Sequence, residues 1–286
     1  MIVSKHGKVL FSIKKRKKMN EVQKDIFVTA DNVTFLKTLP DNCIDIIVTS
    51  PPYDDLRSYK GYTLDMHTLG GELFRVLKNG GICAMVIQDS TKNFGKSLTS
   101  FRTILDWCDS FGFKLFETVI YNRQGVEGAW WKQRFRVDHE YIPIFLKGSK
   151  PQYFNKDSVK IPSKHGGKTM VGAAVRKKDG TQANSRAVFI NPLKCPGTVM
   201  NFGNCCGDGS KLKHKHPAVF PDKLALDMIN CFCPEGGLVL DPFSGSGTTC
   251  IMAKKMNRRY IGIDISKEYN ELAIQRMKME APESLF

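Results

Sequence analysis

Two short stretches carry residue types at spacings that suit chemistry. The first is Asp241-Pro-Phe-Ser-Gly-Ser-Gly-Thr-Thr249, directly after the apolar run Gly237–Leu240 and directly before a helical pattern. Glycines 245 and 247 let a backbone approach a ligand closely, and a helix N-terminus behind them offers free N–H donors. Further on, the run Tyr260–Ile263 ends in Asp264, an acid placed to accept the hydroxyls of a ribose. A phosphate loop would continue into Gly-Lys-Ser/Thr, and a dinucleotide loop would read Gly-x-Gly-x-x-Gly; this loop does neither. S-adenosylmethionine is the remaining common nucleoside ligand of this geometry, because its cationic sulfonium and amino acid end suit a loop opened by Asp241. The candidate cofactor contacts here are Asp241, Phe243, Ser244, Gly245, Ser246, Gly247, Thr248 and Asp264.

The second stretch, Thr49-Ser50-Pro51-Pro52-Tyr53, ends the predicted strand Ile44–Val48. Two prolines stiffen the turn and remove two backbone donors, leaving carbonyls free to accept. An accepting carbonyl, a hydroxyl and an aromatic face on one rigid turn suit an exocyclic amino group on a flat base. Such an amine is a poor nucleophile, since its lone pair is delocalised into the ring. Ser50 Oγ and the Pro51 carbonyl, by accepting its hydrogens, favour a more tetrahedral nitrogen, while Tyr53 stacks on the base and holds it in line with a methyl donor.

These loops need a scaffold that brings distant segments together. Short, β-branched apolar runs bounded by Gly, Pro, Asn or Asp predict strands at 26–29, 44–49, 82–87, 118–121, 141–146, 238–241 and 260–264. Amphipathic patterns predict helices near 65–79, 98–112, 221–233, 247–257 and 267–280, with Pro221-Asp222 as a start signal and Asn79-Gly80-Gly81 as a stop. The fold class that follows is α/β: a doubly wound, mostly parallel seven-stranded sheet carrying a basic insertion.

The insertion shows in the charge. The chain has 286 residues and a formal net charge of +15. Residues 1–24 hold eight Lys/Arg against Glu21 alone, and residues 147–215 hold fourteen Lys/Arg against three Asp. Segregated positive charge makes a polyanion, nucleic acid above all, the favoured partner. With 42% hydrophobic and 25% charged residues the composition is that of a folded chain rather than a disordered one. No apolar run reaches the roughly 18–20 residues of a membrane span, and the lysine-rich start lacks the apolar core of a secretory leader. Nine scattered cysteines without a CxxC pair fit reduced thiols, so a cytoplasmic, nucleoid-associated protein is expected and no disulfide framework.

In combination these residues resemble the amino-methylating DNA methyltransferases of the permuted β class, in which a Ser/Asp-Pro-Pro-Tyr motif precedes the cofactor loop. Further stretches resemble the family in the expected order. Phe27-Val-Thr-Ala-Asp31 is similar to the strand whose acid approaches the cofactor adenine. Arg134–Lys147 is similar to the hairpin wall of the base pocket. His216-Pro217-Ala-Val-Phe-Pro221 is similar to the entry that packs over the methionine end of the cofactor, and Arg259–Asp264 to the ribose-binding strand. The resemblance spans roughly residues 25–150 and 195–280. It implies a circularly permuted Rossmann-like domain divided into a basic arm (1–24), a catalytic half (25–147), a target-recognition region (148–212) and a cofactor half (213–286). It adds Asp31, His216 and Pro217 to the cofactor contacts and implies catalytic roles for Ser50, Pro51, Pro52 and Tyr53. No base-contacting residue carries over into the recognition region; Arg176, Lys177 and Lys178 are its candidate DNA contacts, with Trp130 and Trp131 outside it.

Competing readings are weaker. Cys195, Cys205, Cys206, His214 and His216 match no zinc spacing, so no metal is expected. Methylation of a ring carbon usually uses a Pro-Cys pair, and this chain has only the reverse order, Cys195-Pro196 and Cys233-Pro234. Trp130-Trp131 could stack on DNA, cap the pocket or lid the sheet edge, and His139-Glu140 reads as structural. The expected activity is transfer of a methyl group from S-adenosylmethionine to cytosine N4 in duplex DNA after base flipping, within restriction-modification. Ser50, where Asp is commoner for adenine N6, favours cytosine in the resemblance. Adenine N6, an RNA or protein-glutamine substrate, and a DNA-binding relative without catalysis are the alternatives. A cognate restriction endonuclease is a candidate partner, no membrane is expected, and the chain is expected as a monomer or weak homodimer, bacterial, archaeal or phage-encoded.

Overall fold

The computed structural model describes residues 2–3, 9–10, 22–52, 64–123, 133, 135, 137–172, 176–183, 187–203 and 210–282. First come β1 (Ile2–Val3), β2 (Val9–Leu10), β3 (Ile26–Thr29), α1 (Asn32–Leu36), β4 (Ile44–Thr49), α2 (Met66–Val76) and β5 (Leu77–Met85). A hairpin of β6 (Thr91–Lys92) and β7 (Gly95–Lys96) leads to α3 (Thr99–Phe111), β8 (Phe113–Asn122) and β9 (His139–Lys147). Four short strands follow: β10 (Ile161–Pro162), β11 (Thr169–Val171), β12 (Ala187–Phe189) and β13 (Leu193–Lys194). The chain continues with β14 (Val199–Met200), α4 (Asp222–Phe232), β15 (Leu238–Asp241), α5 (Thr248–Lys255), β16 (Arg259–Asp264) and α6 (Lys267–Glu280).

Two compact units result, Met1–Asn155 with Thr198–Phe286, and Lys156–Gly197. In the first, ten strands form one sheet in the order β14-β8-β9-β5-β4-β15-β16-β3-β1-β2. The central five, β5 to β3, pair in parallel, while β9 runs antiparallel to both β5 and β8. The seven predicted strands form the body of this sheet. Its additional strands, β14, β1 and β2, are two residues each, too short to show a period in the sequence. β1 and β2 lie within the predicted basic arm and extend the sheet beyond β3.

The central strands β4 and β15 are buried at every position, as parallel strands covered on both faces must be. One buried cluster joins Leu36 of α1, Leu69, Leu73 and Val76 of α2 and Trp107 of α3 to Ile47, Met85, Leu240 and Ile261. Helices α4, α5 and α6 are absent from that cluster and pack on one another and on β4, β15, β16 and β3. The stop expected at Asn79-Gly80-Gly81 lies elsewhere: α2 ends at Val76, and the three residues form an irregularity inside β5, between the pairings Ile44–Leu77 and Ile46–Ile82 with β4. Gly80 O accepts the Gln152 N–H at 2.9 Å, so this step ties β5 to the segment after β9.

The second unit contains two small antiparallel two-stranded sheets, β10 with β13 and, in the chain between them, β11 with β12. Every residue of these four strands is exposed. Its bounds fall inside the basic region 148–212, whose residues 148–155 and 198–203 belong to the first unit.

Candidate active site

Parallel pairing decides where the two reactive stretches meet. β4 and β15 are neighbours with Ile46 opposite Val239 and Ile47 opposite Leu240. Thr49 and Asp241 therefore end adjacent strands at the same edge of the sheet, although 192 positions separate them in sequence. The Thr49 hydroxyl donates to Asp241 Oδ1 at 2.7 Å, and the Thr249 hydroxyl donates to the Val48 carbonyl oxygen at 3.1 Å. Both hydroxyls and the carboxylate are buried, so these two ties join the root of the turn at Ser50 to the root of the glycine loop.

Asp241 is only 1% exposed. Burial pushes its carboxyl up to about 6, against the pull of the Thr49 hydroxyl, the Phe243 N–H at 3.1 Å and Thr249. Its role in the fold is thus to fasten the loop from beneath. Asp264, at the end of β16, accepts the Gly245 N–H at 2.9 Å on Oδ2 and the Ser266 N–H at 2.8 Å on Oδ1. Burial raises its pKa as well. Each oxygen keeps a lone pair beyond these bonds, as a ribose contact would need.

The glycines answer to internal packing as much as to a ligand. Gly245 and Gly247 have φ of +48° and +83°. A Cβ on Gly245 would stand 2.9 Å from His216 Nε2, and one on Gly247 would meet Ala273 at 2.9 Å and the Phe27 ring at 3.2 Å. His216 is buried beside the loop, edge-on to Tyr269 at 4.3 Å between ring centroids, with Nδ1 2.5 Å from the Ala218 carbonyl oxygen. The Ala218 N–H lies 3.1 Å from the same Nδ1, so the ring is held by the backbone of the turn that follows it. Pro217 is exposed and Phe243 half-buried against the core. Asp31 is exposed at the end of β3, where its carboxylate caps α1 by accepting the Thr34 N–H at 2.8 Å.

Three anchors have no signal in a motif reading. The Arg276 guanidinium, fully buried on α6, donates to Ser246 O at 2.7 Å, Ser246 Oγ at 3.1 Å and Thr248 Oγ1 at 3.2 Å, and pairs with Glu280 at 2.9 Å. Burial would raise Glu280, but hydrogen bonds from Arg276 and Ser210 and the Arg276 charge bring it down to about 2. Lys213, buried, pairs with Asp222 at 2.7 Å and fixes the His216 turn to the start of α4. Asn270 donates to Thr29 Oγ1 at 2.8 Å and to the Asp264 carbonyl at 3.2 Å. The nearest sequence signal is at Arg276, an arginine inside the buried stripe Ala273–Met277 with Glu280 four residues on.

The fit to a nucleoside cofactor rests on atoms this fold leaves open. Among the described residues, Ser244 Oγ and Asn270 Oδ1 are buried without a hydrogen-bond partner. One lies in the glycine loop and the other on the helix that follows Asp264, and a native fold seldom leaves such groups unpaired unless a ligand or water completes them. The Ser50-Pro51-Pro52 turn leaves β4 with Pro51 buried and Ser50 half-buried. Tyr53, Trp130 and Trp131 lie outside the described residues, as do Cys205 and Cys206. Arg176, Lys177 and Lys178 are exposed in the second unit, where the Lys177 N–H bonds to Thr181 O at 2.7 Å. Burial pushes the Cys233 thiol up to about 12 and raises those of Cys83 and Cys250, so none of the three is a ready nucleophile.

Residues 44–275 match the family model of the N6/N4 DNA methylases. The chain belongs to that family. It is 39% identical over 247 residues to the orphan methyltransferase M.BamHII of Bacillus amyloliquefaciens, covering 85% of this chain and 91% of that one. Among solved structures it resembles the cytosine-N4-specific PvuII DNA methyltransferase with a TM-score of 0.68 at 20% identity, over 88% of this chain and 85% of that one. It also resembles a DNA modification methylase of Thermus thermophilus, solved in complex with S-adenosyl-L-methionine, with a TM-score of 0.58 at 23% identity over 90% and 96% of the two chains. The N6/N4 methylase is a DNA methyltransferase that uses S-adenosyl-L-methionine, on the Rossmann-like fold expected of it. No described helix is long and apolar enough to cross a membrane.

Proposed function

We propose that this DNA methylase acts on the exocyclic N4 of cytosine in duplex DNA, extruding the base into the turn at residues 50–53. The observation that carries the reading is the pair of ties Thr49–Asp241 and Thr249–Val48, which fix an amine-accepting turn against the cofactor loop. Methyl transfer needs the two reacting atoms held in line within a few tenths of an ångström, and buried hydrogen bonds at the roots of both loops supply that. S-adenosylmethionine supplies an electrophilic methyl on a sulfonium. Ser244, Asn270 and Asp264 hold its nucleoside end, Asp31 approaches the adenine, and His216 with Pro217 covers the methionine end. The buried Asp241 charge favours a cation above the loop. Ser50 Oγ and the Pro51 carbonyl accept the N–H hydrogens of the amine as its nitrogen becomes tetrahedral, and Tyr53 stacks on the base.

Support for cytosine comes from Ser50 in place of Asp and from the N4 specificity of the PvuII enzyme, whose fold this chain shares. Adenine N6 is the second reading, since the matching family includes both products. Arg176, Lys177, Lys178 and the exposed two-stranded sheets of the basic unit contact DNA phosphates. M.BamHII is an orphan and M.ScaI of Streptomyces caespitosus a Type II methyltransferase, so the relatives support both a solitary enzyme and one working beside a cognate restriction endonuclease. Modified-base sequencing of DNA from a host expressing the chain tests the reading. N4-methylcytosine at a fixed motif is expected; N6-methyladenine would move the assignment to the second reading, and 5-methylcytosine would overturn the roles of Ser50 and Pro51. In single-turnover assays on that motif, Ser50→Ala is expected to cut the rate far more than it changes cofactor or DNA affinity.

A further inference from the structure

We infer that the face of the β11–β12 pair bearing Thr169, Val171 and Phe189 enters the major groove and reads the methyl groups of thymines in the recognition site. β11 and β12 set Thr169 opposite Phe189, Met170 opposite Val188 and Val171 opposite Ala187. The same register returns at Arg176, which bridges to Gln182, and the Lys177 N–H bond to Thr181 O closes the turn beyond at 2.7 Å. At the opposite end the Ile190 N–H donates to Lys168 O at 2.9 Å. Residues directly opposite each other in an antiparallel pair share a face, and the faces alternate along each strand. Thr169, Val171, Ala187 and Phe189 therefore stand on one face, Met170 and Val188 on the other.

Every residue of the two strands is exposed, so neither face is packed away. A lone two-stranded ribbon gains little stability in water, and apolar side chains on it are better explained by a partner than by packing. The first face is the more open. Val171 is 71% and Phe189 58% exposed, against 40% for Met170, and Ile190, next on the Met170 face, is half-buried. Charge says what the partner is. Residues 156–197 hold nine Lys/Arg against two Asp and no Glu. Both acids are engaged locally, Asp157 with Lys160 at 2.9 Å and Asp179 with the Thr181 N–H and hydroxyl at 2.9 and 2.6 Å. A partner that is anionic along its rims and apolar between them fits this pattern. The major groove is such a surface, with phosphates on both sides and thymine methyls on its floor, and it is wide enough for a two-stranded ribbon. Arg176, Lys177 and Lys178, at the tip, meet the phosphates while the apolar face meets the bases. The inference rests on the proposed duplex DNA substrate and names the part of the chain that selects its sequence.

The test uses the full chain with S-adenosylmethionine, a duplex bearing the motif that modified-base sequencing returns, and a scrambled duplex. Deoxyuracil in place of one thymine at a time removes only a methyl group. At one or more positions the wild-type enzyme should bind the uracil duplex about tenfold more weakly, on the scale of one mismatched pair. Phe189→Ala and Val171→Ala should bind the thymine duplex more weakly by a similar factor, and each should stop distinguishing thymine from uracil at a position the wild type reads. Both variants should melt with the wild type and bind the cofactor and the scrambled duplex as it does, because the side chains are exposed and uncharged. A motif without an A·T pair, or the same thymine preference in the wild type and both variants, would overturn the inference. So would a relaxed motif in Met170→Ala and not in Phe189→Ala, which would give the reading to the other face. Loss of self-association in Phe189→Ala with the thymine preference intact would assign the face to a second copy and overturn it too. These ratios hold whether cytosine or adenine is methylated, so failure of the cytosine assignment leaves them standing. A wild-type enzyme that binds the motif and the scrambled duplex equally would overturn duplex recognition, and the face with it.

Discussion

The cofactor edge and the basic unit solve opposite problems with the same chain. At the edge, Thr49, Asp241, Ser246, Thr248, Thr249 and Arg276 are all buried, and the bonds Thr49–Asp241, Thr249–Val48, Arg276–Ser246 and Arg276–Thr248 span sequence separations of 28 to 201 residues. In the unit 156–197 the strands are exposed throughout, and turns are shaped by local side-chain bonds such as Thr181 to Asp179 at 2.6 Å. Buried long-range bonds fix a geometry that tolerates little error. Exposed strands with lysines between them leave a surface that can change sequence without unravelling the sheet. If this division is real, substitutions at the edge should cost stability and rate together, and substitutions in the unit should leave the fold intact.

The largest effect is expected at Arg276. Arg276→Met removes the cation from a buried pair, leaves Glu280 only the Ser210 N–H and the more distant Lys255, and releases Ser246 and Thr248 from behind, a loss of about 3–5 kcal/mol in unfolding free energy. Urea titration with and without S-adenosylmethionine would show it, and a variant as stable as wild type would break the comparison at its firmest point. Next comes Thr49→Val, which keeps volume and removes the hydroxyl that Asp241 accepts. The expected cost is about 1–3 kcal/mol, with a fall in kcat larger than any change in cofactor affinity. Thr49→Ser should restore most of both. Loss of cofactor affinity alone would mean that the tie serves the loop and not its alignment with the turn.

The pH dependence should be smaller and carries a definite sign. Asp241 titrates near 6 in the fold, above its ordinary value. The native state therefore takes up a proton more readily than the unfolded chain, and stability from this group should rise as the pH falls from above 6 toward about 4. Affinity for the cationic cofactor should move the other way, weakening as the pH falls through about 6, because the neutral acid no longer attracts the sulfonium. Calorimetric titrations across this range should show the trend in wild type and a flatter one in Asp241→Asn. Parallel trends in the two proteins would assign the dependence to another group, with Asp264 the first candidate since burial raises it too.

Much of this was legible because strands and loops leave local marks. Ile44–Thr49 and Leu238–Asp241 are mostly apolar runs that end in chemistry-bearing turns, and the structure has both strands with the predicted bounds. What could not be read is whatever depends on who faces whom. Thr49 looked like the last residue of a strand and Arg276 like one more cation on a helix. Their roles exist only because the parallel pairing of β4 with β15 and the packing of α6 on the sheet bring them to the glycine loop. The glycines were expected to make room for a ligand, and the structure shows His216, Phe27 and Ala273 using that room first. Asn79-Gly80-Gly81 misled for a related reason: it looked like a helix stop, and it is a step within β5 that receives Gln152.

The smallest effect on the fold is expected from the cluster Arg176, Lys177 and Lys178. All three are exposed, and the bonds that shape their hairpin are made by backbone, Lys177 N–H to Thr181 O and Gly180 N–H to Lys177 O at 3.0 Å. Replacing the three with alanine removes charge and leaves those bonds in place, so unfolding free energy should stay within about 0.5 kcal/mol of wild type. Cofactor binding should be unchanged. The effect should appear only when DNA is present, and then as a change of slope. If each cation neutralises one phosphate, the dependence of log affinity on log salt should become shallower by about 0.9 for every phosphate no longer neutralised, up to nearly 3 for the cluster. A filter-binding series at several salt concentrations measures that slope directly. A fall in affinity with the slope unchanged would mean that the cluster shapes the unit instead of meeting phosphates. No change in either would place these residues on a solvent face, and the recognition surface would have to be sought along the exposed hairpin strands, at Met170, Val188 and Phe189.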